Sequence, residues 1–274
     1  MFIINGQFND FISVRDRGLH YGDGVFETIA LQGNTPLCWE LHYQRLKSGC
    51  ERLGINCPSD SLLLSELAQF QIESELSVFK IIITRGQGGR GYRLPDADTP
   101  TTRILGLYPW PEYPDENYSE GIKTAICRIR LGHNPYLAGI KHLNRLEQVL
   151  ASSEYNQPDI AEYLMMDKDE NIIEGSMSNL FMVTNNTLVT PDISNCGING
   201  IVRQHILGLA PLIGLSARIT SITKSDLYNA DELFLCNSVI GIWVIRKIGE
   251  HEYNAGPWTE MIRNKLIEEK IIVR

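Results

Sequence analysis

The chain has 274 residues, of which 43% are hydrophobic and 21% are charged, and its formal net charge is -8. This composition is typical of a globular protein with a sizeable core, and the length suits two domains or one large one. An acidic chain gives no support for binding to nucleic acid or to a membrane surface, and no apolar run approaches the length of a membrane span.

The cysteines and the first residues favour a reducing compartment. The first ten residues lack the basic segment and the long apolar core of a signal peptide. We therefore expect a cytoplasmic protein with reduced thiols. The cysteines are scattered without CxxC pairs or Cys/His metal spacing, so that no metal site is predicted: Cys38, Cys50, Cys57, Cys127, Cys196 and Cys236.

The N-terminal part alternates short strands with two helices. Asn5-Gly6 is a type I′ turn signal between two strand-like segments, which predicts a hairpin. Residues 15–24 form a loop dense in glycine and charge, and Gly54 ends the first predicted helix. The expected strands cover 1–4, 7–12, 25–31, 37–39, 78–84 and 102–108, and the expected helices cover 40–53 and 61–70.

Three prolines within residues 109–114 exclude a central strand or a helix interior and mark a linker. We expect a smaller N-terminal α/β domain over 1–112, a linker over 113–120 and a larger C-terminal domain over 121–274. The C-terminal part predicts strands over 123–130, 162–166, 180–184 and 232–237, and helices over 141–153, 201–213 and 258–268. Because many strands are hairpin-connected, a mixed α/β or α+β fold is favoured over a doubly wound parallel sheet.

Lys141 is the candidate nucleophile. Turn formers precede it and apolar residues follow it at helical spacing, which places Lys141 at the start of the helix over 141–153. The partial positive charge of a helix start eases loss of the ammonium proton. A neutral lysine amine attacks aldehydes, and the usual biological aldehyde is pyridoxal phosphate. The local sequence alone favours an ordinary surface lysine, so a catalytic role requires matching groups elsewhere in the chain.

Three other segments offer groups that pyridoxal phosphate requires. Residues 197–203 place glycines directly before a helix, whose first amides can bind phosphate. Arg45 and His42 lie on one helix face beside apolar residues, where an arginine can bind phosphate. Glu174 stands in a Gly/Ser turn before a buried strand, where a carboxylate can meet a protonated ring nitrogen. Each has an ordinary alternative, respectively a simple turn, a surface ion pair and a turn cap.

Residues 85–92 form a glycine loop with two arginines. An RGG-like nucleic-acid segment is one interpretation, but the chain is acidic and contains a single short copy. A mobile loop that carries Arg85 and Arg90 over a pocket would suit a substrate with carboxylates.

Several segments together resemble the fold-type IV pyridoxal-phosphate enzymes, which include branched-chain and D-amino-acid aminotransferases and aminodeoxychorismate lyase. Two longer stretches, 85–92 and 130–149, resemble the lyase branch in particular. The shared segments run in family order across nearly the whole chain and cover residues 21–27, 42–46, 140–144, 174–181 and 197–203.

The resemblance implies a two-domain fold with the cofactor at the domain interface, a homodimer, and a C-terminal domain that carries the cofactor lysine. It implies that Lys141 holds pyridoxal phosphate covalently, that Arg45 contacts the phosphate and that Glu174 pairs with the ring nitrogen. Arg145 stands where branched-chain aminotransferases place a tyrosine, which weakens that interpretation.

The resemblance also implies contacts nearer the ends of the cofactor. Ile201 and Val202 correspond to backbone amides that bind the phosphate, and Asn237 with Ser238 matches the last phosphate-side position. Thr28 matches a hydroxyl near the substrate in the lyase.

The implied activity is the conversion of 4-amino-4-deoxychorismate to 4-aminobenzoate and pyruvate in folate biosynthesis. Lys141 would move the protons, and Arg85 or Arg90 would bind the substrate carboxylates. A D-amino-acid or branched-chain aminotransferase on the same scaffold is the alternative. A non-catalytic protein that has lost its cofactor is disfavoured by the intact set of Lys141, Arg45 and Glu174.

Overall fold

The computed structural model describes residues 1–96, 98–154 and 159–274, and the chain divides into two compact units. Unit 1 comprises Met1–Pro111 and Ile140–Asn144, and unit 2 comprises Glu112–Gly139 and Arg145–Arg274. Both units contain sheets and helices, which confirms the mixed α/β fold, whereas the predicted domain limits stay a prediction. None of the described helices is long and apolar enough to cross a membrane.

Unit 1 contains an antiparallel sheet of six strands, which are β1 (Phe2–Ile4), β2 (Gln7–Phe8), β3 (Gly24–Gln32), β4 (Thr35–Pro36), β5 (Leu76–Thr84) and β6 (Thr102–Pro109). Their order in the sheet is β2-β1-β6-β5-β3-β4. The turn between β1 and β2 has φ of 51° at Asn5 and 85° at Gly6, as the predicted hairpin requires. The helices are α1 (Arg17–Tyr21), α2 (Trp39–Leu53) and α3 (Asp60–Leu67).

The structure confirms the predicted C-terminal end of α2 but not the strand predicted before the helix. Gly54 ends the helix with φ of 64°, as predicted. The strand expected over 37–39 is wrong, because Cys38 has φ of 51° and Trp39 already begins α2. The expected loop over 15–24 contains the short helix α1, which Asp16 caps by accepting a hydrogen bond from the Gly18 amide.

Helices α2 and α3 cover one face of this sheet and form its core. Phe79, Ile81 and Ile83 of β5 point to that face and are fully buried. Lys80 alternates with them and is half-buried, so it belongs to the opposite face. The helix-covered face therefore contributes the core of unit 1, and the opposite face can carry polar groups.

Among the described residues, unit 2 contains a nine-stranded sheet and five helices. Its helices are α4 (Glu116–Ser119), α5 (Leu146–Glu154), α6 (Ile201–Leu212), α7 (Lys224–Tyr228) and α8 (Pro257–Glu268). Its strands are β7 (Ile122–Leu131), β8 (Glu162–Asp167), β9 (Ile172–Gly175), β10 (Asn179–Thr184), β11 (Thr187–Pro191), β12 (Ser216–Thr220), β13 (Glu232–Asn237), β14 (Gly241–Ile248) and β15 (His251–Glu252).

The sheet of unit 2 mixes parallel and antiparallel pairs. Strand β7 pairs in parallel with β8 and β14, and β11 pairs in parallel with β12, while the other described pairs are antiparallel. Because β9 pairs with both β8 and β10, the strands β10-β13-β14-β7-β8-β9 close into a ring. This arrangement agrees with the prediction of a mixed sheet and excludes a doubly wound one.

The predicted helix over 141–153 is wrong at its start, since α5 begins at Leu146. The amide of Phe26 donates to the carbonyl of Lys141 over 2.9 Å, and the amide of Leu143 donates to the carbonyl of Gly24 over 3.0 Å. Residues 141–143 thus pair with the free edge of β3 instead of entering a helix. The partial charge of a helix start therefore does not account for the chemistry of Lys141, because it fades within one turn.

Through the same pairing, Ile140–Asn144 and with them Lys141 cluster with unit 1. The Asn144 side-chain amide adds a hydrogen bond to the carbonyl of Gly22 over 3.1 Å. The other strands and helices predicted beyond residue 120 agree with the structure to within one residue at each end.

The core of unit 1 predicts the effect of a large-to-small substitution. Phe79 is 0% exposed, so Phe79→Ala should lower the free energy of unfolding by about 3–5 kcal/mol through lost burial and a cavity. Urea denaturation measures this change. The control is Val14→Ala, whose side chain is 76% exposed and which should change stability by less than about 0.5 kcal/mol. Equal effects of the two variants would contradict the assignment of the core.

Candidate active site

Lys141 lies against the face of the unit 1 sheet that the helices do not cover. Its Nζ atom is 4.5 Å from the ring centroid of Phe26, and its backbone is held by the Phe26 amide. Phe26 and Thr28 are half-buried neighbours on this face of β3. The structure thus brings together the predicted lysine and the predicted hydroxyl on one sheet face.

Lys80 joins the same face and was missed by the sequence reasoning. It is the cross-strand partner of Thr28, and its Nζ atom is 5.4 Å from the Phe26 ring centroid. A lysine in the middle of an otherwise apolar, β-branched strand was the signal that could have revealed it. Two amines therefore lie near one aromatic ring, an arrangement that favours anionic ligands.

On the helix-covered face of β3, Glu27 holds Arg45 and His42 of α2. Arg45 donates from Nε to Oε1 over 2.7 Å and from Nη2 to Oε2 over 2.6 Å, a bidentate pair. The Nδ1 atom of His42 lies 2.6 Å from Oε2. The prediction that His42 and Arg45 share a helix face is confirmed, and Glu27 is the partner that sequence reasoning overlooked.

Burial and neighbouring charges set the pKa values of Glu27 and His42, and therefore their protonation. Burial raises the pKa of Glu27, but Arg45 and His42 outweigh it and lower the pKa to about 2. Burial lowers the pKa of His42, and together with Arg45 and Lys141 it outweighs the opposing effect of Glu27. At neutral pH, Glu27 is therefore ionised, and neutral His42 donates its Nδ1 proton to it, which fixes the orientation of Arg45.

In unit 2, Glu174 is the residue before the last in β9, and it is buried. Its Oε2 atom accepts a hydrogen bond from the amide of Ile198 over 2.8 Å, and Asn179 donates from Nδ2 to the carbonyl of Ile198 over 2.9 Å. The turn before α6 is thereby held against the ends of β9 and β10. The predicted glutamate and the predicted glycine segment do lie together.

The start of α6 has the features of an anion site. Gly200 is its N-cap, and no side chain of the described residues caps the first turn, so the amides of Ile201 and Val202 point outward. A Cβ atom on Gly200 would overlap Oδ1 of Asn179, so only glycine fits this close approach. Arg203 does not face the anion position, because it donates to Thr190, Asn199 and the carbonyl of Pro191.

Asn237 at the end of β13 connects to the same region. It donates from Nδ2 to the carbonyl of Met177 over 3.0 Å, and its Oδ1 atom accepts from the amides of Val239 and Ile240. Ser238 follows it and is half-buried. Asn237 therefore shapes the backbone at this position, which leaves Ser238 as the better candidate for a direct phosphate contact.

Arg85 and Arg90 have different surroundings. The guanidinium of Arg85 is paired with Asp23 and donates to the carbonyls of Leu53 and Gly54 at the end of α2. Burial raises the pKa of Asp23, but Arg85 and Arg17 outweigh it and lower the pKa. These contacts indicate that Arg85 stabilises the end of α2. The structure therefore does not support the predicted role of Arg85 in binding substrate.

Arg90 is exposed on the glycine loop, and a second arginine anchors that loop. Arg17 of α1 is buried, pairs with Asp23 over 2.8 Å and donates to the carbonyls of Gly91 and Arg93. The burial of Arg17 was not predicted, because a charged residue in a loop segment is usually exposed. Arg90 remains the loop arginine that suits a substrate carboxylate.

His133, Asp167 and Cys196 have ligand atoms within 4.8 Å of one another. Both oxygens of Asp167 already accept hydrogen bonds, from His133, from Asn171 and from the amide of Asp169. Burial raises the pKa of the Cys196 thiol to about 12, with nearby carboxylates adding to the effect. We interpret this group as a hydrogen-bonded link between β8 and the turn that carries His133.

Comparisons with known proteins support the family resemblance of segments in both units. A family model described as amino-transferase class IV matches residues 24–248. The chain belongs to the class IV aminotransferase family. It is 32% identical over 252 residues to an aminodeoxychorismate lyase of Vibrio harveyi, a match that covers 92% of this chain and 93% of the relative.

Solved structures of class IV aminotransferase relatives have the same fold. A 4-amino-4-deoxychorismate lyase from Pseudomonas aeruginosa is 43% identical, with a TM-score of 0.93 over 98% of this chain and 99% of that chain. A branched-chain aminotransferase from the archaeon Thermoproteus uzoniensis, solved with norvaline, is 22% identical, with a TM-score of 0.84 over 98% and 94% of the two chains. The second likeness concerns the fold alone.

The residues present fit the cofactor of the class IV aminotransferase family. Unit 1 holds a lysine amine on a backbone fixed by β3 and an arginine oriented by a carboxylate. Unit 2 holds a buried glutamate and, within the described residues, a helix N-terminus without a side-chain cap. An amine for the aldehyde, donors for a phosphate and a carboxylate for a ring nitrogen are the groups that pyridoxal phosphate requires.

The Glu27 group predicts a specific pH dependence of stability. The pKa of Glu27 falls from 4.5 to about 2, so its contribution is fully present above pH 4.5 and is lost as the pH falls toward 2. Glu27→Gln should lower the free energy of unfolding by about 3 kcal/mol at pH 7, because half-buried Arg45 loses its carboxylate partner. Urea denaturation across this pH range should show the difference from wild type shrinking below pH 4.5.

The matched control for this experiment is Glu250→Gln. Its carboxylate is almost fully exposed, so its effect on stability should be small at every pH. A Glu27→Gln difference that stays constant between pH 7 and pH 3 would contradict the proposed ionisation of Glu27.

Proposed function

We propose that this protein is a pyridoxal-phosphate-dependent 4-amino-4-deoxychorismate lyase, which forms 4-aminobenzoate and pyruvate for folate biosynthesis. The supporting observation is that Lys141 is held beside the Phe26 ring, which Lys80 also approaches, in a chain 43% identical over 98% of its length to a solved lyase. The fixed amine provides a proton acceptor, and the neighbouring cation suits a substrate with two carboxylates.

Lys141 moves the protons of the elimination. When bound, pyridoxal phosphate supplies an electron sink for the negative charge that develops at the amine-bearing carbon. The Lys141 amine takes the ring proton from that carbon. The enolpyruvyl group then leaves as the ring becomes aromatic, and the Lys141 ammonium returns a proton to the enolpyruvate carbon, which gives pyruvate.

The remaining residues bind and orient the cofactor. Glu174 keeps the cofactor ring nitrogen protonated, while Arg45, the amides of Ile201 and Val202, and Ser238, which Asn237 positions, bind the phosphate. These roles rest on the resemblance and on the local geometry of each residue within its own unit.

The substrate is held by separate groups. The Thr28 hydroxyl lies on the same sheet face as Lys141 and Lys80, where it can orient the substrate. Lys80 and exposed Arg90 are the cations that we propose for the two substrate carboxylates, whereas Arg85 is committed to Asp23.

An aminotransferase acting on D-amino acids or branched-chain amino acids is the second candidate, and the matched family model favours it. It predicts that D-alanine or a branched-chain amino acid converts the bound cofactor to its pyridoxamine form, which absorbance detects. Release of 4-aminobenzoate from aminodeoxychorismate, without that conversion, supports the lyase.

We further propose a homodimer in the cytoplasm. The family resemblance supports the dimer, and the reduced state of the six cysteines in the described residues fits a reducing compartment. Sedimentation at several protein concentrations measures the oligomeric state directly.

Lys141→Ala tests the catalytic assignment. We expect 4-aminobenzoate release to fall by at least about 10²-fold, because proton transfer by a positioned side chain contributes that much or more. The control is Lys168→Ala, an exposed lysine that pairs with its neighbour Asp169 and should retain wild-type turnover. Undiminished turnover in Lys141→Ala would exclude the proposed mechanism.

Arg90→Ala and Arg85→Ala test the division of roles between the two arginines. Arg90→Ala should raise KM for aminodeoxychorismate about tenfold, the worth of one charged hydrogen bond, with little change in stability. Arg85→Ala should lower the free energy of unfolding by about 3 kcal/mol, because its side chain is 11% exposed and paired with Asp23. Steady-state kinetics and urea denaturation separate these effects, and the reverse pattern would contradict the assignment.

A further inference from the structure

Glu162 is a buried carboxylate that the mechanism does not use. It begins β8 and is 2% exposed. Its Oε1 atom accepts from the amide and hydroxyl of Ser176, over 3.1 and 2.6 Å, and from the amide of Tyr163. Its Oε2 atom accepts from the amide of Met177 over 3.2 Å and from the hydroxyl of Ser178 over 2.9 Å.

All but one of these donors belong to residues 175–178, which we call the β9–β10 turn. This turn directly follows Glu174 and directly precedes Asn179. The amide of Gly175 closes it by donating to the carbonyl of Ser178 over 2.7 Å. Glu162 therefore binds the turn from one side through both of its oxygens.

The same turn is connected to the groups assigned to the cofactor. Asn237 donates to the carbonyl of Met177, and Asn179 donates to the carbonyl of Ile198, whose amide in turn donates to Glu174. The conformation of the β9–β10 turn thus sets where Glu174, Ile198 and Asn237 lie within unit 2.

The described donors to Glu162 are hydroxyls and main-chain amides rather than cations. Burial raises the pKa of Glu162, and these hydrogen bonds offset only part of the effect. A buried carboxylate without a cationic donor is costly, yet a fully hydrogen-bonded one holds its donors in one geometry. The cost is consistent with a role in fixing the turn.

We propose that Glu162 is the positioning residue for Glu174. By accepting hydrogen bonds from Ser176, Met177 and Ser178, it fixes the β9–β10 turn and thereby the direction of the Glu174 carboxylate. This inference rests on the proposed function for the part that Glu174 plays at the ring nitrogen.

A purely structural role is the competing explanation, and the chain offers a matched control for it. Glu232 begins β13, is 4% exposed and accepts from the amides of Trp258 and Thr259 and from the hydroxyl of Thr259. It anchors the start of α8, in the same unit and the same sheet. Glu162→Gln and Glu232→Gln therefore remove similar hydrogen bonds from different places.

The first measurement is amide hydrogen exchange on the protein without added cofactor. In Glu162→Gln, exchange should rise about tenfold at Met177 and also at Ile198, because Glu174 loses its fixed position. In Glu232→Gln, exchange should rise at Trp258 and Thr259 and stay unchanged at Ile198. Faster exchange at Met177 with wild-type exchange at Ile198 would overturn the proposal.

The second measurement is the visible spectrum and the dissociation constant of pyridoxal phosphate. Glu174→Gln is the reference, and Glu162→Gln should shift the spectrum in the same direction and weaken binding about tenfold. The double variant should shift the spectrum no further than Glu174→Gln alone. A Glu162→Gln protein with a wild-type spectrum would overturn the inference, and a Glu174→Gln protein with a wild-type spectrum would overturn the proposed role of Glu174 as well.

Ser178→Ala repeats the test from the donor side if Glu162→Gln does not fold. It removes one hydroxyl donor and keeps the carboxylate, so it should change the spectrum in the same direction by a smaller amount. An unchanged spectrum together with unchanged exchange at Ile198 would contradict the proposal.

Discussion

The pairing of residues 141–143 with the free edge of β3 is the constraint on which the site in unit 1 depends. Strand β4 pairs with the far end of β3, so the amide of Phe26 is available to bind the carbonyl of Lys141. That bond holds the Lys141 amine over the ring of Phe26, on the face that α2 and α3 leave uncovered. The lysine that we propose as catalytic is thereby positioned by sheet geometry, which is more rigid than a loop and independent of any helix start.

Each unit contains a buried carboxylate that positions neighbouring groups, and the pKa values of the two carboxylates shift in opposite directions. Glu27 has cationic Arg45 and neutral His42 as partners, and its pKa falls to about 2. Glu162 has hydroxyls and amides as its donors, and burial raises its pKa. The first fixes a charged side chain and the second fixes a turn of the backbone. Both side chains are hydrogen-bonded through both oxygens, as burial of a carboxylate requires.

The sequence alone predicts those features that depend on neighbours in the chain. Gly54 ends α2 and the strand over 232–237 has its predicted limits, because capping and apolar alternation are local signals. The edge pairing of Lys141 joins residues far apart in the chain, so no local pattern contains it. Buried charged residues such as Arg17 and Glu162 were missed for a related reason, since only their distant partners make burial tolerable. Family resemblance supplied the proposed roles of Arg45 and Glu174, whereas the place of Lys80 opposite Thr28 is known from the strand pairing.

The membership of Ile140–Asn144 in unit 1 has a consequence for the inheritance of this fold. The chain passes from one unit to the other three times, after Pro111, after Gly139 and after Asn144. Recombination at the proline-rich segment would therefore combine Lys141 with residues 1–111 of another protein. The β3 edge that holds Lys141 would then come from a different sequence. Residues 1–111 and the five-residue segment form one unit, although they are separated in the chain. Chimeras between relatives would conserve this lysine environment only if both pieces came from one parent.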